Sequence, residues 1–492
     1  MVVAVIGISG LLLAEAPPGA GVVGGHRAAV IAGLRQPDGM LHGGSAFRAR
    51  CGLRLSPTRH LPQDLEPASL EAPAMAINDT ALDAGYRSLP PRAKTLYRQL
   101  AVLPTTRIDV HGAAAASALS PLTAGKALMA MCEARLLEEA GGRFGFAAGA
   151  RGHALHLAVI HDSESGRRGT LRRLCDWVLY IATRAQEQLM PAQDIRPRVY
   201  HYQLDGPPPF ASGHGALAWL REGQNDLLAI VRAAADARWY HTAWQLVDAH
   251  WPLFVYAHPY GLWIETHRIG LDCARRAGDN TAVRRMLNSG AIGLCNAQEF
   301  EEAIEWYTAG LVAARRQHDV RGEGDAHLGL ARCHLQAGSP VPAEVHVLRA
   351  IECQESCDDS LGVALAQLSY GEIVIAQNNP TRAVGLLSDA HRCLSAGGDP
   401  FDTARALALR GWAHALGGDH EAALRDLHKA LRVFDEAGSE RWQARARHLL
   451  GKTYAASGHT DRARVHLQDA AELYQHVDPT HAATVRNTLQ TL

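Results

Sequence analysis

Four tryptophans and four histidines crowd into "RWYHTAWQLVDAHWPLFVYAHPYGLWIETHRIG", residues Arg238 to Gly270: Trp239, Trp244, Trp251 and Trp263 with His241, His250, His258 and His267. Indoles make an apolar wall and imidazoles titrate near neutral pH, so such a stretch could hold a ligand or shuttle protons. At helical spacing the same residues could equally pack one helix on another, with the histidines as polar rims. Trp251, Trp263 and His267 fall on core positions of the repeat described below, where packing explains them. His250 and His258 do not, which makes them the two catalytic candidates.

Other chemistry finds little support. Metal binding wants ligands three or four apart on one helical face, and Glu265/His267 and His153/His156 are isolated pairs without a HExxH run. The reading is no metal and no cofactor. No GxSxG elbow occurs. Nine scattered cysteines without a CxxC pair read as reduced thiols of a cytoplasmic protein. The opening "MVVAVIGISGLLLAEA" lacks the basic start of a signal peptide and falls short of the ~20 apolar residues of a membrane span. Charge is balanced, 49 basic against 50 acidic residues, which argues against nucleic acid and anionic membranes as main partners.

The elements that must position these residues emerge from counting. Steps of 40 from Ala331 reach Ala291, Gly371, Gly411 and Gly451, all small. Twelve residues after each anchor stand Ala303, Ala343, Ala383, Ala423 and Ala463. Sixteen after come Tyr307, Val347, Leu387, Leu427 and Leu467; nineteen after, Gly310, Ala350, Ala390, Ala430 and Ala470. Seven after, Gly338, Asn378, Gly418 and Gly458 suit a left-handed helix end, and Gln298 is the exception. Trp251 heads a weaker, aromatic-rich first copy. Small residues let two helices approach closely and a bulky one fills the space between them, so each unit is a helical hairpin buried by its neighbours.

This pattern resembles the tetratricopeptide repeat, with a period of 40 in place of ~34; a longer second helix would absorb the surplus. The resemblance implies an all-α, right-handed superhelix whose first helices line a concave groove at offsets −6, −3, +1, +4 and +5 from each anchor. Carried over residue by residue, the polar and aromatic groove positions are Asp248, Tyr256, Arg285, Asn288, Asn296, Asp325, Arg332, Gln336, Glu372, Arg405, Trp412, Arg445, His448 and Lys452. Arginines and amides on such a face suit peptide carboxylates, while apolar Leu365, Leu368 and Ile375 in its middle favour a mixed peptide. The alternative is a solvated face without a ligand.

Ahead of the array, "YRSLPPRAKTLYRQLAVLP" and "KALMAMCEARLLEEAGGRFGF" read as helices followed by a β-ribbon, the pattern of a winged helix. "ALAWLREGQNDLLAIVRAA" is a further amphipathic helix. In this order the segments resemble the C-terminal half of actinobacterial STAND-type regulators, in which a nucleotide-binding core precedes a winged helix, a helical linker and a repeat array. The ATPase parts implied by that resemblance are missing: no GK[ST] follows "VVAVIG", the first lysine is Lys94, and Ala147 to Gly149 stand where the family has a nucleotide-facing histidine.

The sequence thus predicts four parts: a vestigial or poorly ordered segment over residues 1–80, a winged-helix-like module over 81–160, a helical linker over 161–238 and the array over 239–492. It points to a non-catalytic interaction or regulatory protein that binds a protein or peptide in its groove. The alternative is a scaffold recruited in bacterial specialised metabolism as an enzyme or small-molecule binder, with its pocket near residues 239–267.

Overall fold

The computed structural model describes residues 76–191, 193, 195–202, 206–397 and 400–492. The expectation for residues 1–80 therefore lies outside the described residues, apart from the start of the first helix. By its contacts the chain divides into two units, and residues 82–492 belong to the larger, which is described here.

The chain enters with α1 (Ala76–Ser88), α2 (Pro91–Ala101), β1 (Arg107–Asp109), α3 (Val110–Ser117), α4 (Pro121–Glu133), β2 (Leu137–Ala140) and β3 (Arg143–Phe146). The strands form an antiparallel sheet in the order β1-β3-β2, with Ile108 opposite Phe144 and Leu137 opposite Phe146. Gly141 and Gly142, both at positive φ, close the β2–β3 hairpin as a two-residue turn of this kind requires. Tyr97 on α2 is fully buried and donates to the carbonyl of Ala150 at 2.8 Å, fixing α5 (Ala150–His161) beneath the sheet module.

Two long helices follow, α6 (Glu164–Leu189) and α7 (Gly213–Asp236). Asp226 of α7 accepts from Thr106 N and Oγ1, both at 2.9 Å, and lies 3.6 Å from Arg143, so α7 is tied to the sheet. One apolar core runs unbroken from Leu89 through these helices to Cys333.

Then comes the array: α8 (Tyr240–Ala249), α9 (Trp251–Ala257), α10 (Tyr260–Arg276), α11 (Asn280–Asn296), α12 (Phe300–Arg316), α13 (Val320–Gln336), α14 (Pro340–Ser356), α15 (Ser360–Ala376), α16 (Pro380–Ala396), α17 (Pro400–Leu416), α18 (His420–Glu436), α19 (Glu440–Ala456), α20 (Thr460–Val477) and α21 (Pro479–Gln490). From α10 to α19 every helix has 17 residues. The surplus over the usual repeat is therefore shared by both helices, whereas the sequence reading had placed it in the second.

The turns show how. Between α10 and α11, Ala277 ends one helix, Gly278 adopts φ 70° and Asp279 caps the next by accepting from Ala282 N. Asp279 N in turn donates to Ala274 O, six residues bridged by one bond, which satisfies an end carbonyl of α10. The same three-residue turn recurs with Asp319, Asp359, Asn379 and Asp419 as side-chain caps. Gln298, the exception in sequence, takes the same left-handed conformation at φ 65°.

Packing between helices follows the counted offsets. A Cβ placed on Gly371 would meet Leu387 Cγ at 2.5 Å, one on Gly411 would meet Leu427 Cγ at 2.9 Å, and one on Gly451 would meet Leu467 Cγ at 2.5 Å. The glycine anchors thus admit the leucine sixteen residues on. At Ala331 the partner is the smaller Val347, and both are fully buried.

Candidate functional site

The groove positions split into two groups. Along the later repeats some of them pair inside the fold. Arg445 donates to Glu372 at 2.7 Å across two repeats, and both side chains are buried. Arg405 donates to Asp402 at 2.5 Å, and the guanidinium carbons of Arg405 and Arg445 lie 5.3 and 4.8 Å from the Trp442 ring centroid. Lys452 Nζ stands 4.8 Å over Trp412. Arg332 is buried, and desolvation lowers its pKa while the neighbouring Tyr307 opposes the shift. His448 is buried and driven to a pKa of about 3 by desolvation and by Lys452. Gln336 accepts from Cys295 at 3.1 Å, and Asn296 is half-buried at the end of α11.

The first repeats differ. Asp248, Arg285, Asn288 and Asp325 open onto one cavity of about 190 Å³, whose apolar wall includes Trp251, Ile292 and Tyr307. Asp248 is held between Arg198 at 2.7 Å and Arg285. Burial works to raise its pKa, but the two guanidinium groups outweigh burial and hold it below the usual range. Arg284 pairs with Asp319 at 2.8 Å. His267 bonds to Ser289 Oγ at 3.0 Å and to the Trp263 carbonyl at 2.8 Å, and desolvation lowers its pKa to about 4, so it is a neutral wall of the cavity. Asp325 is pushed up to about 6 by desolvation, with Arg284 partly countering.

The two catalytic candidates are not brought together. His250 is buried with Nδ1 2.7 Å from the Leu246 carbonyl, beside a void of about 40 Å³. His258 caps α9 at φ 52° and lines a different cavity of about 500 Å³, shared with Tyr256 and with Arg441 at the start of α19. Burial drives each imidazole to a pKa of about 4. On the lining of the larger cavity, Arg441 donates to the Val477 carbonyl at 3.2 Å and lies 3.7 Å from Asp478. Among the described residues no three histidine, cysteine or acidic side chains converge on a metal position, and no helix is long and apolar enough to cross a membrane.

Sequence reasoning missed Arg198, Arg196 and Gln193, which reach the cavity region from the irregular segment before α7 and carry no repeat signal. It also missed Asp402 and Trp442. Both stand nine residues before their anchors, where earlier copies have small Ala282, Gly322 and Gly362. That change of residue type was readable.

Residues 402–476 match the family model of the tetratricopeptide repeat. The chain carries tetratricopeptide repeats. It is similar to regulatory protein AfsR of Streptomyces griseus, at 24% identity over 409 residues, which cover 82% of this chain and 36% of that protein. The chain thus spans about a third of the length of that relative. Among solved structures it is similar to a STAND protein with a tetratricopeptide repeat sensor from Pyrococcus horikoshii (TM-score 0.39, 14% identity, 86% of this chain and 62% of that one). It is also similar to aspartyl phosphate phosphatase F from Bacillus subtilis (TM-score 0.45, 11% identity, 83% and 96%).

Proposed function

We propose that this chain is a regulatory interaction protein that holds a peptide segment of a partner in the cavity at the start of its repeat array. The module of α2, β1, α3, α4, β2 and β3 is read as winged-helix-like and α6–α7 as the linker, in the order of a STAND-type regulator. The observation that carries the reading is the cavity itself: four groove positions chosen by their offsets, Asp248, Arg285, Asn288 and Asp325, open onto one space. At about 190 Å³ it is smaller than the roughly 300–1,000 Å³ of pockets that enclose drug-sized ligands, and suits a side chain or a chain end. The later groove is bridged by the buried Arg445–Glu372 ion pair, so a partner would engage the early repeats.

The test passes a randomised hexapeptide pool over the immobilised full chain. The wild type should retain peptides, and Thr281→Trp, which sets an indole on the cavity lining, should reduce retention at least ten-fold with an unchanged melting midpoint. Equal retention by the two proteins contradicts the reading.

A further inference from the structure

The cavity at the start of the array carries more positive than negative charge. Arg196, Arg284 and Arg285 line it against Asp248 and Asp325. Their ion-pair partners behind the lining are Arg198 beside Asp248 and Asp319 beside Arg284, so four guanidinium groups stand against three carboxylates. His267 on the same wall is neutral, its pKa lowered to about 4 by desolvation. Asp325 holds its charge weakly: desolvation pushes it up to about 6, with Arg284 partly countering.

Donors are left over on the same lining. Arg196 comes from the irregular segment between α6 and α7, is half-buried, and has no hydrogen bond or ion pair among the described residues. Arg285 of α11 uses only Nε for Asp248. Its two terminal nitrogens have no partner among the described residues, and neither is sealed from solvent. A guanidinium offers paired N–H groups that match the two oxygens of a carboxylate, and such charge-assisted bonds are stronger than neutral ones. Gln193 and Thr281 add neutral polar groups, while Trp251, Ile292 and Tyr307 form the apolar wall.

We infer that the cavity takes a carboxylate of the bound peptide, with Arg196 as its counter-ion and the terminal nitrogens of Arg285 as further donors. The carboxylate is the peptide's C-terminus or an acidic side chain, and the apolar wall receives the group next to it. This deepens the peptide reading above and rests on it. Asp325 opposes the same ligand by like charge, which sets the sign of its substitution.

The test uses the full chain and three N-acetylated hexapeptide pools without charged residues: one with free C-termini, one C-amidated, and one C-amidated with a single added glutamate. Retention is read by mass spectrometry at pH 7.5. The inference expects about ten-fold stronger retention of a carboxylate-bearing pool than of the neutral amidated pool, and loss of that preference in Arg196→Gln. Whichever carboxylate-bearing pool is retained names the source. Arg196→Gln should keep the wild-type melting midpoint, because the side chain has no partner in the fold to lose. Asp325→Asn, which removes the opposing charge, should retain the same pool more strongly than wild type does. A preference that survives Arg196→Gln, or weaker retention by Asp325→Asn, overturns the inference. Equal retention of all three pools also overturns it and leaves the groove reading standing. Retention of none overturns the groove reading, and the inference with it.

Discussion

At the scale of single residues, buried charge is the dominant expense, and its signs can be worked out. Asp325 has a folded pKa of about 6 against an ordinary value near 4, so the folded chain holds a proton that the unfolded chain releases between those values. Its stabilising contribution is complete below about pH 4 and is lost as pH rises through 6. At neutral pH the carboxylate therefore costs on the order of 2–3 kcal/mol. Asp325→Asn should be more stable than wild type at pH 7.5, with the difference gone near pH 4. A wild type that melts higher at pH 7.5 would refute this assignment. The Arg445–Glu372 pair behaves oppositely. Glu372→Gln leaves a buried guanidinium without its counter-ion and should cost about 3–5 kcal/mol in denaturant titrations, whereas Glu372→Leu with Arg445→Met should cost much less. Equal losses in the two proteins would mean that the pair is not what holds these repeats together.

Elements set where those residues can stand. The periodic small and large positions were legible in sequence because each answers to a hard steric limit: Leu387 against Gly371 leaves no room for a methyl group. Gly371→Ala should therefore cost about 1–3 kcal/mol by overpacking. The turns were nearly as legible, since glycine and asparagine announce left-handed backbone. Gln298 did not announce it, because the three-residue turn is imposed by the helices on both sides. Gln298→Gly should relieve that backbone and stabilise the chain by about 0.5–1 kcal/mol; a destabilised variant would show that the Gln298 side chain matters more than its φ. Least legible was the state of the groove. Offsets told which residues face inward, but not that Arg405 would find Asp402 or that Arg445 would find Glu372. The Arg445–Glu372 pairing depends on how tightly successive repeats coil, which no local pattern encodes, whereas Asp402 lies one helical turn before Arg405 on α17. Arg196 and Arg198 were invisible for a related reason: they sit in an irregular segment with no periodicity to read.

Across the whole molecule, a long run of neutral buried histidines makes the fold sensitive to acid. His250 and His267 have pKa values of about 4 and His448 of about 3, and all three side chains are buried. The unfolded chain takes up protons on these groups below about pH 6.5 while the folded chain does not. Stability is thus fully present above that pH and falls as pH drops, by about 2–3 kcal/mol for each by pH 4. The melting midpoint should decline steadily from pH 7 to 4.5, and a flat profile would contradict the burial of these imidazoles. The same architecture divides the array into a later part bridged by the Arg445–Glu372 pair and an early part with a cavity lined by Asp248, Arg285, Asn288 and Asp325. The most direct test of that division is hydrogen–deuterium exchange of the full chain with and without the retained hexapeptides. The account predicts slowed exchange concentrated in α11 and α13, which carry Asn288 and Asp325. Slowing confined to α15 through α20, or to the sheet module, would contradict it.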